Sequence, residues 1–212
     1  MPIAQPEILE SLTVSDALML KNNAQLEAVK FQNIIAESVT AKYSQLHQVV
    51  FEKCHLIEAD LEATACSDAV IKDSDFSAVK IASSKITRLH AANNRMPGIN
   101  LSDSELTDIT FDGCNLNLAN FRMSKLRRIK FTRCSLVEAD FVGSELREII
   151  FEDCELEKVN FYQVKVKNVD FSGSHINGLG GWQSLKGVTI DSLQLLSVAG
   201  ELAGELGLKI KR

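Results

Sequence analysis

The side chains in this 212-residue chain that could do chemistry are four histidines (His47, His55, His90, His175), five cysteines (Cys54, Cys66, Cys114, Cys134, Cys154) and scattered carboxylates and bases. Their spacing decides between metal binding, nucleophilic catalysis and neither. Cys114, Cys134 and Cys154 stand twenty residues apart, and Cys54 falls in the same phase. A zinc site needs four ligands converging on one point, about 2.3 Å from each sulfur. A straight column of thiols does not converge, so free buried cysteines are expected, with no metal and no cofactor. Cys134 and Cys154 could approach closely enough for a disulfide, but a reducing compartment would hold them as thiols. No GxGxxG, P-loop or HExxH pattern is present, and Gly178, Gly180 and Gly181 read as a chain break rather than a phosphate cradle. No catalytic residue is assigned, and the chain is expected not to be an enzyme.

The elements that must position these groups are announced by an apolar residue at every fifth position. The run is clearest from Leu106 through Phe111, Leu116, Phe121, Leu126, Phe131, Leu136, Phe141, Leu146, Phe151, Leu156, Phe161 and Val166 to Phe171. The phase extends outward to Leu26 and Ile176. A period of five is neither a helix, which steps 100° per residue, nor a flat strand, which alternates by twos; it belongs to a repeat architecture. Two residues before each large residue sits a second, mostly small one, and Cys, Ala, Ser, Ile recurs there as a unit of twenty: Cys114, Ala119, Ser124, Ile129, then Cys134, Ala139, Ser144, Ile149. Four five-residue sides thus make one coil, with a large and a small residue inward from each side. The four histidines fall on outward positions.

The stretches Cys114–Phe121, Cys134–Phe141 and Cys154–Phe161, with Ala139-Asp140-Phe141, Ala119-Asn120-Phe121 and Ala59-Asp60-Leu61 matching A(D/N)LXX, resemble pentapeptide-repeat proteins over about three quarters of the chain. That resemblance implies an all-β fold, a right-handed quadrilateral β-helix, here with a C-terminal α-helical cap. It also separates the chain from left-handed β-helix acyltransferases, whose period is six and whose catalytic histidine lies in an insertion. Ice binding is set aside because Thr87, Thr107, Thr110 and Thr132 do not form one exposed column.

Three segments are expected: an N-terminal cap over 1–23, the repeat β-helix over 24–178, and a capping and dimerisation segment over 179–212. The apolar residues between Glu7 and Lys21 suggest a short helix or irregular cap over the open end of the ladder, which would otherwise leave backbone groups unpaired. Ala36, Ala41, Cys66 and Ala91 replace large residues in the inward column and leave volume to be filled. The coil around Ala91 to Gly98, with Asn94 inward and Pro97 unable to donate to the ladder, is expected to be the weakest. The register runs through it, so one unbroken rod on the order of 35 Å long follows from the spacing of paired strands. Past the glycines, Asp191 and Gln194 form a capping-box pattern ahead of a helix from Ser192 to Leu206. Its apolar residues span roughly 160°, more than the stripe of about 100° needed against one surface. Leu195, Ala199, Leu202 and Leu206 are therefore assigned to a homodimer contact.

Charge frames the partner. Lys and Arg number 23 against 28 Asp and Glu, a net −5, which disfavours direct binding of nucleic acid. The N-terminus lacks a signal-peptide pattern and no stretch is long enough to span a membrane, so a cytoplasmic protein is expected. The side centred on Leu116, Leu136 and Leu156 is acidic and carries Glu138, Glu155 and Glu157. The side centred on Leu46 to Val166 is basic and carries Lys125, Arg127, Arg128, Lys165 and Lys167. A rod with shaped charge and no reaction centre points to a non-catalytic interaction protein. The resemblance to Qnr-type and mycobacterial fluoroquinolone-resistance members of the family implies more: a DNA-mimicking rod that binds type II topoisomerase, DNA gyrase, and protects it from fluoroquinolones. The alternatives are a scaffold for another protein and polyanion binding through the basic side.

Overall fold

The computed structural model describes residues 2–209. Nine parallel strands form a single sheet in sequential order. They are β1 (Thr13–Ser15), β2 (Gln25–Gln32), β3 (Gln45–Glu52), β4 (Ala65–Lys72), β5 (Lys85–Ala92), β6 (Glu105–Asp112), β7 (Lys125–Thr132), β8 (Glu145–Glu152) and β9 (Lys165–Asp170). From β2 to β9 partners differ by twenty residues, as in Leu126↔Leu146 and Phe131↔Phe151. The other two sides of each coil are held by single parallel bridges in the same step, such as Asn115↔Ser135 and Asn120↔Asp140. The chain is therefore the expected four-sided β-helix of about eight coils. Its corners are made by residues at positive φ, including Arg88, Leu118, Met123, Arg128 and Glu138. That conformation is disfavoured for residues with a Cβ, and the ladder on either side maintains it.

The five-step residues fill the interior. Phe111, Phe131, Phe151 and Phe171 stack in one buried column with centroids 5.1, 4.8 and 5.2 Å apart, and Phe121, Phe141 and Phe161 form a second at 4.6 and 5.2 Å. The small inward residues have a second duty. The N–H of one coil points inward and needs an acceptor from the next, as Ser84 N–H donates to Ser104 Oγ at 3.0 Å and Ser104 N–H to Ser124 Oγ at 3.2 Å. Asn94 continues this pattern in the irregular coil: its Oδ1 accepts from Ser74 N–H at 2.9 Å and its amide donates to Ile71 O at 2.8 Å. All five cysteines are free and buried, and burial pushes the Cys66 thiol up to about 12. Around Cys66 the underfilled column leaves an apolar cavity of about 50 Å3, bounded by Leu46, Ile86, Leu106 and Phe111 among others.

At the C-terminal end the register stops at Gly181. Its φ of 84° and a position where a Cβ would lie 2.7 Å from the Phe161 carbonyl carbon leave no room for a side chain. The helix α1 (Ser192–Glu205) follows, with the Asp191/Gln194 capping box formed. Gln194 and Val198 are buried against the last coil, and the Gln194 amide donates to Phe171 O and Ser174 O, both at 2.6 Å. Two carbonyls at the end of the repeat are thereby satisfied. The last residues of the expected C-terminal segment, 210–212, lie outside the described residues.

The N-terminal segment lies outside the repeat register. Among the described residues there, a single 3-10 turn, Ala17–Met19, forms, and β1 pairs with β2 to cover the first edge. Residues 2–9 form an extended arm on the outside of the rod. Glu7 N–H donates to Asp68 Oδ1 at 3.0 Å and Ala4 N–H to Asp108 Oδ1 at 3.3 Å. Those two carboxylates lie two coils apart, about 9.6 Å, and three extended residues span about 10 Å. The arm therefore runs straight along the rod axis. Ile3, Pro6 and Ile8 are half-buried there.

Candidate functional site

The interior is occupied by packed apolar and small side chains, so the functional groups lie in axial columns on the outer faces. On the basic side, three columns run in parallel. The first alternates in sign: Lys125 Nζ meets Glu105 at 2.9 Å and Lys165 Nζ meets Glu145 at 2.8 Å, each pair one coil apart. The third, at the corner, alternates as well, through Asp68, Arg88, Asp108, Arg128 and Glu148. Arg128 grips Asp108 through two bonds of 2.6 Å, and Arg88 holds Asp68 in the same way. Asp68 and Asp108 are 1% and 6% exposed, and the guanidinium beside each holds its carboxyl below the usual carboxylate range.

The middle column is different. Arg127 pairs in register with Arg147, and Arg147 with Lys167. All three are exposed, and among the described residues none enters an ion pair. The structure thus splits the five cations assigned to a basic site. Lys125, Lys165 and Arg128 are neutralised by carboxylates one coil away, while Arg127 and Lys167 stay unpaired and are joined by Arg147. Arg147, which is not one of those five, stands between them in the column.

On the acidic side, Glu138, Glu155 and Glu157 lie in neighbouring coils, where each has a nearby base. Lys158 Nζ is 3.4 Å from Glu157 and 4.0 Å from Glu138, and His175 is 3.8 Å from Glu155. These pairs are more than half exposed on both sides and so are worth little, but the Lys158 ammonium moderates the field of Glu157 and Glu138. At the C-terminal end, Leu195, Ala199 and Leu206 of the assigned dimer contact are exposed. Leu202 instead packs partly against the core, because it lies on the same helical face as Gln194 and Val198. Leu196, 76% exposed, completes the outward stripe with Leu195 and Leu206.

The N-terminal arm was not legible from the sequence, since its anchors are 61 and 104 residues away. The alternation of Lys85, Glu105, Lys125, Glu145 and Lys165 was legible in principle, as a sign change every twenty residues.

Residues 44–121 and 104–180 each match the family model described as a pentapeptide repeat region. No curated protein matches the sequence. Among solved structures, the chain is similar to HetL from the cyanobacterium Nostoc sp., a pentapeptide repeat protein involved in heterocyst differentiation regulation. The identity is 15% over 81% of this chain and 91% of that one, with a TM-score of 0.41. It is similar to full-length QnrB1, a plasmid-mediated fluoroquinolone resistance protein, at 15% identity over 92% and 95%, TM-score 0.40. A third, the pentapeptide repeat protein Rfr23 from Cyanothece 51142, has 12% identity over 58% and 88%, TM-score 0.39.

Proposed function

The chain belongs to the pentapeptide-repeat family, and from that premise we propose that it is a non-catalytic interaction protein that binds a protein partner along the sides of its rod. The observation that carries this reading is the placement of its functional groups. The inward columns are stacked Phe, Leu, Ile, Cys, Ala and Ser, while charged side chains stand outside at the fixed repeat of about 4.8 Å. Such a surface recognises shape and charge over a long, rigid contact.

The finer reading follows the Qnr type of the family: a dimer joined through the outward stripe of α1 presents Glu138, Glu155 and Glu157 to the DNA-binding surface of a type II topoisomerase, in place of duplex DNA. The attraction would be electrostatic and salt-sensitive. Purified protein should then protect or inhibit gyrase from the same cell in a supercoiling assay with a fluoroquinolone. Charge reversal at the three glutamates should weaken the effect more than reversal at Lys125, Arg127 and Arg128. No effect on supercoiling or drug-induced cleavage at large molar excess would remove gyrase as the partner.

A further inference from the structure

The basic face obeys one rule with one exception. Outward columns on a parallel solenoid place side chains of successive coils directly beside one another, and like charges so placed are destabilising. Both flanking columns on this face avoid that by alternating sign, with Lys125 on Glu105, Lys165 on Glu145, and Arg128 on Asp108. Between them, Arg127, Arg147 and Lys167 stack three like charges in register over two coil steps. Below Arg127 the same column holds Thr107 and Thr87, so the charge is confined to three coils. The three side chains line a shallow groove of about 360 Å3, together with Lys125, Glu145 and Lys165. A fold that pairs its charges in the columns on either side and leaves this one unpaired is holding it for an anion from outside.

We propose that the Arg127–Arg147–Lys167 column is a docking site for an acidic α-helix of a protein partner, lying along the rod axis. The geometry selects among anions. The column spans about 9.6 Å at the spacing of paired strands, and carboxylates on successive turns of a helix, at i, i+3 or i+4, and i+7, span about 10.5 Å at 1.5 Å per residue. An extended strand places alternate side chains about 6.8 Å apart, so its third carboxylate overshoots by about 4 Å. Duplex DNA carries one charge per about 1.7 Å. Its continuous line of charge would also face Glu105, Glu145 and Glu148, which border the column and repel it. Discrete carboxylates, one per turn, meet only the cations. Arg127 and Arg147 can each engage a carboxylate through two parallel bonds. This site is independent of the topoisomerase reading, which uses the opposite charge on a different side.

The test is fluorescence anisotropy on the full chain with four labelled probes. These are a helical Ala/Glu peptide with its Glu residues in one axial stripe, a peptide of the same composition with the Glu residues spread around the helix, a single-stranded oligonucleotide and a duplex of similar charge. The stripe peptide should bind, at least tenfold more tightly than the scrambled one, and weaken as salt rises. Arg147→Gln should reduce its affinity tenfold or more, whereas Lys158→Gln, on the acidic side and outside this groove, should change it by less than about twofold. Arg147→Glu should abolish binding and raise the thermal midpoint, because it restores alternation; a fold defect would lower the midpoint instead. No binding of the stripe peptide, equal binding of the two peptides, tighter binding of either oligonucleotide, or insensitivity to Arg147→Gln would each overturn the proposal.

Discussion

Phe131→Ala tests the architecture at its most constrained point. The Phe131 ring is fully buried, stacked between Phe111 at 5.1 Å and Phe151 at 4.8 Å and met edge-on by Phe121 at 6.3 Å. Removing it forfeits the transfer of a Phe side chain, about 1.5–3 kcal/mol. It also leaves a hole on the order of 100 Å3, worth about 2.4 kcal/mol at 24 cal/mol per Å3 if nothing moves. Relaxation is limited because the rings above and below belong to strands whose ladder holds them one coil step apart. The sum, about 4–5 kcal/mol, falls at the upper end of the range of about 3–5 kcal/mol for emptying an aromatic core site. For a chain of this length it corresponds to a fall in thermal midpoint of about 8–20 °C. Circular dichroism melts of the wild type, Phe131→Ala and Phe131→Leu would show it, with the leucine variant intermediate because it keeps much of the volume. A loss under about 1 kcal/mol for the alanine variant would mean that the column collapses freely, and the account of a ladder-fixed interior would be wrong.

Other expectations concern the irregular coils, the arm and the C-terminal helix. Cys66→Val, which adds apolar volume beside the cavity of about 50 Å3, should stabilise by about 0.5–1 kcal/mol in a thermal melt; a lowered midpoint would show that the site is already full. The arm should depend on pH through Asp68 and Asp108, whose carboxyls are held low by Arg88 and Arg128. A depressed carboxyl contributes stability that is present above its unfolded value of about 3.9 and is lost as pH falls through the folded value. Amide exchange at Ala4 and Glu7 should therefore stay protected from pH 7 to 5 and lose protection in more acidic solution, and Asp68→Asn with Asp108→Asn should expose both amides at pH 7. Unchanged protection in that double variant would refute the anchoring role. Leu195→Glu and Leu206→Glu should convert a dimer to monomer in sedimentation, and wild-type protein already monomeric at micromolar concentration would rule out the α1 interface.

Sequence alone carried the parts of this protein that repeat or are local. The five-residue register determined the columns, since each inward residue of one coil meets the same position of the next, and Leu126↔Leu146 follows from counting by twenty. The C-terminal helix was legible because its signals are adjacent: Asp191 and Gln194 cap it, and it runs from Ser192 to Glu205, one residue short of expectation. What only the tertiary structure decided depends on contacts that no period encodes. The corners at Leu118, Met123 and Arg128 adopt positive φ without the glycine or asparagine that would announce it, because the ladder, not the residue, imposes that conformation. The orientation of α1 turned Leu202 inward, since the helix docks through Gln194 and Val198 rather than through the centre of its apolar arc. The arm reaches Asp68 and Asp108 across 61 and 104 residues, where nothing in Ile3 to Ile8 names its anchors. The charge of the basic face shows the same division. Composition sums it to a net positive surface, but pairing across coils cancels Lys125, Lys165 and Arg128 and leaves Arg127, Arg147 and Lys167, because which charge meets which is set by the coil register and not by the total.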